Sequence, residues 1–273
     1  MAIITRFAPS PTGFLHLGHA YSAWMNQQRG GLFHLRLEDI DSTRCRAEYA
    51  AAICEDLRWL GLHWHGEVRV QSAHLAEYQA ALAGLQARGL LYPCFCSRRE
   101  IAQAQSAPHG TATIYPGTCR HLPPHERARR IATGAAYALR LDISAALAIT
   151  GALKFHEEHT GWVTAQPETS GDIILARKDI PTSYHLCVVH DDAAQGVTHV
   201  IRGRDLRPAT HVQVLLQSLL FLPTPSYAHH ALLYDTAGRR LAKRDGAPSL
   251  RALRQSGIEP HSILERFARM EIP

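Results

Sequence analysis

The sequence predicts an α/β protein built on a parallel sheet, interrupted by a loop-rich insertion and closed by a short helical C-terminus. Three observations lead there. Two apolar runs, 3–7 and 32–37, flank a helical segment at 20–28, and a strand–helix–strand unit makes its two strands parallel. From 94 to about 124 this periodicity gives way to clustered Cys, His, Pro and Gly. Helical spacing returns at 249–255 and 262–270.

Taken in order, the strand at 3–7 leads through a Pro/Gly turn to the helix at 20–28 and the strand at 32–37. Residues 48–60 and 74–88 carry apolar side chains at helical spacing, with Gly61 and Gly89 as stops. These helices read as layers around the sheet. Inside the insertion, 137–143 and 161–164 suggest strands. Strand-like patterns resume at 172–176, 184–189 and 197–202, and 208–220 is helical with Thr210 near its start. The expected units are 1–93 and 172–245 as the two halves of one sheet domain, 94–171 as the insertion, and 246–273 as the C-terminal helical segment.

With 273 residues, 46% hydrophobic and 19% charged, the chain has the composition of a folded protein of one large or two linked domains. No apolar run reaches the roughly 18 residues of a membrane span, and no basic, apolar, cleavable leader opens it. A cytoplasmic protein is expected. A net charge of +5 and a pI near 9.0 suit a polyanionic partner, and equally a basic enzyme acting on a small substrate. The six cysteines do not form the dense framework of a small secreted domain.

Four groups of residues carry chemistry. His16-Leu17-Gly18-His19 lies between the first strand and its helix. Glycine there admits a close ligand, and the helix start offers unpaired N–H groups to an anion. A Pro/Gly loop with incidental histidines gives the same tetrapeptide. Arg6, Ser10 and Glu38 fall at the carboxyl ends of the first two strands, where open α/β sheets bind ligands. An Arg–Glu pair joining two strands is the plainer reading. Arg240-Leu241-Ala242-Lys243-Arg244 is a basic segment. Cys94-x-Cys96 with Cys119, set in the Pro/Gly-rich insertion, reads as a zinc site. The residues alone offer His109, His121 or His125 as a fourth ligand.

The string RFAPSPTGFLHLGHA, followed by LRLEDID, resembles the opening of the class I glutamyl-tRNA synthetases. The resemblance continues through DLRWLGLHWHGE, LYPCFCSRRE, residues 184–206 and RLAKR. It implies a Rossmann-like class I catalytic sheet with a zinc-bearing insertion. His16-Leu17-Gly18-His19 is similar to the HIGH signature, and Arg240 to Arg244 to the KMSKS loop, with arginine, alanine and arginine at its first, third and fifth positions. By that resemblance His16, Gly18, His19 and Lys243 bind ATP, and His16, His19 and Lys243 act on its phosphates, with Mg²⁺ sharing the charge. Arg6, Ala8, Ser10, Glu38, Tyr184 and Arg202 are implied to line the glutamate pocket. The spacing to Tyr115-x-x-x-Cys119 matches zinc-bearing members, so the resemblance implies Cys94, Cys96, Tyr115 and Cys119 as ligands of one structural Zn²⁺.

Fewer than thirty residues follow Arg244, which resembles the short paralogues of that family. This implies ATP-dependent activation of L-glutamate without tRNA. The glutamyl group then passes to the cyclopentenediol of queuosine in the anticodon of tRNA(Asp). Two further readings stay open: a truncated glutamyl-tRNA synthetase charging a tRNA 3′ end, and a non-catalytic zinc-bearing RNA-binding protein.

Overall fold

The apolar run after the N-terminus pairs as expected. In the computed structural model, which describes residues 2–97, 100, 114–234 and 248–269, β1 (Ile4–Phe7) lies parallel to β2 (Leu32–Leu37), with Ile4 opposite Leu32. Helix α1 (Leu17–Gln28) crosses between them. Gly31, at φ +83°, permits the return: a Cβ there would sit 2.0 Å from the Ile3 carbonyl oxygen. The short β3 (Arg69–Val70) extends this sheet in parallel. Helices α2 (Ala47–Trp59) and α3 (Leu75–Ala87) match their sequence patterns, and Gly61 and Gly89 follow them with positive φ.

The second half repeats the theme. β9 (His199–Gly203) and β10 (Ser226–His230) are parallel neighbours joined through α7 (Arg207–Leu219). β6 (Lys154–Glu157) pairs in parallel with β10, and β7 (Gly161–Thr164) closes that edge antiparallel. A third, antiparallel sheet joins β4 (Leu91–Cys94), β5 (Ala138–Leu141) and β8 (Ile174–Ala176), only β5 of which lies wholly within 94–171, whereas β6 and β7 of that range join β10. Beside it lie α4 (Pro124–Ala132) and α5 (Ile143–Thr150), the latter capped by Asp142.

One expected strand is a helix. Residues 184–189 belong to α6 (Tyr184–Ala194), which packs against α7, α3 and β8. Leu186, Cys187, Val188 and Val189 are all buried because the helix is covered on several sides. Such covering removes the 3.6-residue alternation and leaves a continuous apolar run that reads like an interior strand. Helix α1 also begins three residues earlier than the sequence pattern indicated, because His16 caps it.

The two parallel sheets meet along a seam. The backbone N–H of Thr198 donates to the Ile4 carbonyl at 2.9 Å, and the Ile4 N–H donates to Thr198 Oγ1 at 2.8 Å. Higher up, buried Asn26 donates from Nδ2 to the Ile201 carbonyl at 3.0 Å. The chain leaves β1 toward β2 on one side and β9 toward β10 on the other. The seam is therefore a topological switch point, where a crevice opens at the carboxyl ends of the strands. Helices α8 (Leu250–Gln255) and α9 (Pro260–Arg269) press Leu250, Ile263 and Phe267 into the apolar cluster of Phe7, Leu35, Ile53 and Leu57. Among the described residues no helix is long and apolar enough to cross a membrane.

Candidate active site

A cavity of about 360 Å³ occupies the switch-point crevice. Arg6, Ala8, Ser10, His16, Gly18, His19, Glu38, Tyr184 and Arg202 all line it. Residues spread over nearly two hundred positions thus converge because β1, β2 and β9 end together and α6 starts beside them. Lys243 and the rest of Arg240 to Arg244 lie outside the described residues. Ser249, a little beyond, forms a β-bridge with His16 and its neighbour Leu250 donates to the Leu15 carbonyl at 2.8 Å.

The tetrapeptide builds the first turn of α1. His16 is its N-cap: Nδ1 accepts from the Gly18 N–H at 3.1 Å, while the His16 N–H donates to His19 Nδ1 at 3.3 Å. The imidazoles stack at 3.8 Å between centroids. This reciprocal cap orients both rings at a helix start whose first turn carries no acidic residue. The arrangement suits a phosphate.

Across the cavity lies a buried charge network that the sequence did not disclose. Arg6 does not pair with Glu38. Its Nε donates to Asp192 Oδ1 at 3.0 Å. Arg36, fully buried, donates from Nη1 to the same oxygen at 2.8 Å and holds Nη2 3.5 Å from Glu38 Oε1. Asp192 was missed because it lies two turns along the helix mistaken for a strand. Glu38 has a side chain only 10% exposed. Burial pushes its pKa up to about 7, against the pull of Arg36 and Arg6. An entering ammonium would restore its charge. Arg202 forms the opposite pole: Nη2 donates to Thr210 Oγ1 at 2.7 Å and Nε to His229 Nε2 at 3.3 Å. Tyr184 forms a wall between these poles, and burial raises its pKa. The crevice thus offers a carboxylate at one place, an arginine at another, and an anion-ready helix start beside them.

The cysteines of the insertion also converge. The Sγ atoms of Cys94, Cys96 and Cys119 lie within 4.8 Å of one another. Cys96 and Cys119 are 3.4 Å apart, and Tyr115 Oη lies 3.4 Å from Cys94 Sγ and 3.7 Å from Cys96 Sγ. A tetrahedron with Zn–S bonds of ~2.3 Å has ligand atoms about 3.8 Å apart, so the donor set fits zinc. The Cys119 N–H donates to Tyr115 Oη at 2.8 Å, and the Arg140 guanidinium stacks 3.7 Å from the ring centroid. Burial pushes the Tyr115 hydroxyl pKa up, and the Cys119 N–H bond opposes that rise.

The family model for the catalytic domain of class I tRNA synthetases (E and Q) matches residues 2–273. The chain belongs to this family. Within it, the synthetase is 49% identical over 275 residues to the glutamyl-Q tRNA(Asp) synthetase of Rhodobacter capsulatus, covering 96% of this chain and 98% of that one. It is 38% identical to glutamate–tRNA ligase 2 of Nitrosococcus oceani, covering 98% of this chain and 59% of the relative. A crystal structure of a glutamate tRNA ligase from Elizabethkingia meningosepticum with its amino acid superposes with a TM-score of 0.82 at 25% identity, over 99% of this chain and 61% of that one. The synthetase is accordingly a ligase of the class I aminoacyl-tRNA synthetase type on a parallel sheet.

Proposed function

We propose that this synthetase activates L-glutamate with ATP, without tRNA, and transfers it to the cyclopentenediol of queuosine in the anticodon of tRNA(Asp). The observation carrying the activation step is the placement of Glu38 and Arg202 in one cavity with the His16–His19 helix start. A dicarboxylic amino acid needs an anion for its ammonium and a cation for its side chain, and the nucleotide needs phosphate donors beside its α-carboxylate.

In this reading Glu38 takes the ammonium and Arg202 the side-chain carboxylate, with Arg6, Ala8, Ser10 and Tyr184 shaping the pocket. The α-carboxylate oxygen attacks the α-phosphorus of ATP, and the bond to pyrophosphate breaks. Such transfer needs positioning and charge neutralisation rather than a protein nucleophile. His16, Gly18 and His19 hold phosphate oxygens, and Lys243 adds a cation to the leaving group. Mg²⁺ bound to ATP would share that charge. A ring hydroxyl of queuosine then attacks the acyl carbon, AMP leaves with the bonding pair, and an ester results. Cys94, Cys96, Cys119 and Tyr115 would hold one structural Zn²⁺, which would cross-link the insertion.

The acceptor is supported by the relatives. The chain is 49% identical to the Rhodobacter capsulatus glutamyl-Q tRNA(Asp) synthetase and 38% identical to the Nitrosococcus oceani glutamate–tRNA ligase. Incubation with labelled glutamate, ATP and tRNA tests it. The label is expected on queuosine-containing tRNA(Asp) and absent from unmodified tRNA(Asp). Label at the 3′ end of tRNA(Glu), with queuosine-containing tRNA(Asp) inert, would replace this acceptor by a tRNA terminus. Absence of glutamate-dependent ATP–pyrophosphate exchange would remove catalysis altogether.

A further inference from the structure

Behind Arg202, away from the cavity, stands a chain of buried polar side chains from three other elements. Glu157 ends β6, His229 lies on β10 and Thr210 on α7. Their relative exposures are 2%, 9% and 0%, and Arg202 itself is at 5%. No part of the chemistry derived so far uses them.

The donor pattern is read from the arginine. An arginine only donates, so His229 Nε2, 3.3 Å from Arg202 Nε, must accept. The hydrogen of a neutral imidazole is then on Nδ1, which faces Glu157 Oε2 at 2.5 Å. The other carboxylate oxygen, Oε1, accepts the backbone N–H of His229 at 3.1 Å. Thr210 Oγ1 accepts from Arg202 Nη2 and stands 3.2 Å from His229 Nε2, where its own hydrogen shares the one lone pair with the Arg202 Nε–H. Burial lowers the His229 pKa, against the Glu157 bond and with help from the Arg202 charge, which agrees with a neutral ring.

The consequence lies in which edge of the guanidinium is used. Nε and the adjacent Nη2 hydrogen form its side-on fork, and His229 and Thr210 occupy that fork. The end-on fork, Nη1 with the second Nη2 hydrogen, is left for a planar carboxylate, which binds such a fork with two parallel bonds.

We propose that Glu157 and His229 are positioning residues for substrate selection: Glu157 fixes the imidazole hydrogen on Nδ1, so that Nε2, with Thr210, turns the end-on edge of Arg202 toward the side-chain carboxylate of the amino acid. This rests on the glutamate-binding reading of Arg202. Neither residue touches substrate.

Glu157→Gln tests it at nearly constant shape. The His229 backbone N–H still needs an acceptor, so the amide oxygen stays there and the NH₂ faces Nδ1. The ring must then accept at Nδ1 and carry hydrogen on Nε2, against the Arg202 Nε–H. The glutamate KM in ATP–pyrophosphate exchange is expected to rise at least about tenfold, while the KM for ATP stays within about twofold of the parent. Thr210→Val, which removes one acceptor and leaves the ring alone, should raise the glutamate KM about threefold. Two-bond proton–nitrogen NMR correlations of His229, assigned by their loss in His229→Gln, should show Nε2 bare in the parent and protonated in Glu157→Gln. A protonated Nε2 in the parent overturns the proposal, as does an unchanged glutamate KM in Thr210→Val or in folded Glu157→Gln. If Glu157→Gln does not fold, the parent spectrum and Thr210→Val decide. Arg202→Ala separates the two levels: an unchanged glutamate KM there would remove the underlying role of Arg202. A raised KM in Arg202→Ala with a parental value in the other variants would sink the positioning chain alone.

Discussion

Glutamate affinity should depend on pH through Glu38, and the size of the effect follows from its surroundings. Burial holds its pKa at about 7, although Arg36 and Arg6 pull it down. In the proposed function the substrate ammonium binds the ionised form. Affinity is therefore full well above pH 7 and is lost as pH falls through it. With a pKa about 7, roughly 90% of Glu38 is ionised at pH 8 and roughly 10% at pH 6, so the glutamate KM should be about tenfold higher at pH 6. The substrate's own carboxyl groups and amine titrate outside that window. ATP–pyrophosphate exchange at varied glutamate, from pH 5.5 to 8.5, gives the profile, and the KM for ATP is the control for titration of His16 and His19. In Glu38→Gln the affinity should be weak and the slope absent. A glutamate KM that is flat between pH 6 and 8, or the same slope in Glu38→Gln, would refute the reasoning.

Three further outcomes are expected. Asp192→Ala leaves Arg6 and Arg36 buried without their shared acceptor, so denaturant unfolding should show a loss of about 3–5 kcal/mol. The purified protein should carry about one zinc per chain by elemental analysis, and Cys96→Ser should lower that content and expose the insertion to protease. Lys243→Ala should slow adenylate formation strongly without changing the circular dichroism spectrum, and pyrophosphate exchange within a few-fold of the parent would remove Lys243 from the phosphate site.

The sequence revealed the residues with local signatures. The strand–helix–strand opening, the glycine stops and the histidine tetrapeptide each depend on near neighbours, and each is found within three residues of where the pattern placed it. The cavity wall was legible too, through the resemblance of the opening string and of residues 184–206. What stayed hidden depends on distant partners. Nothing near Asp192 announces that it receives Arg6 and Arg36, because those lie more than 150 positions away. Its helix was read as a strand because packing on several sides erased the helical alternation. The strand carrying Glu157 is short, and its companion β10 alternates too weakly to stand out. The interior histidine at 229 could not be told apart from the other histidines of a chain containing 18.

The seam between β1 and β9 makes the cavity behave like a pair of callipers. One jaw, carrying Arg6 and Ser10, belongs to the first sheet; the other, carrying Arg202, belongs to the second. Thr198 pins them at the foot, and Asn26 pins them again below the mouth. Neither sheet alone determines the gap between the jaws. The two pins help to set it, and Asn26 is a single buried amide that also holds the Ser22 carbonyl. The span that the proposed dicarboxylic substrate would meet is thereby set in part from behind the pocket. A homologue that measures a shorter or longer acid need not alter any side chain that the acid meets.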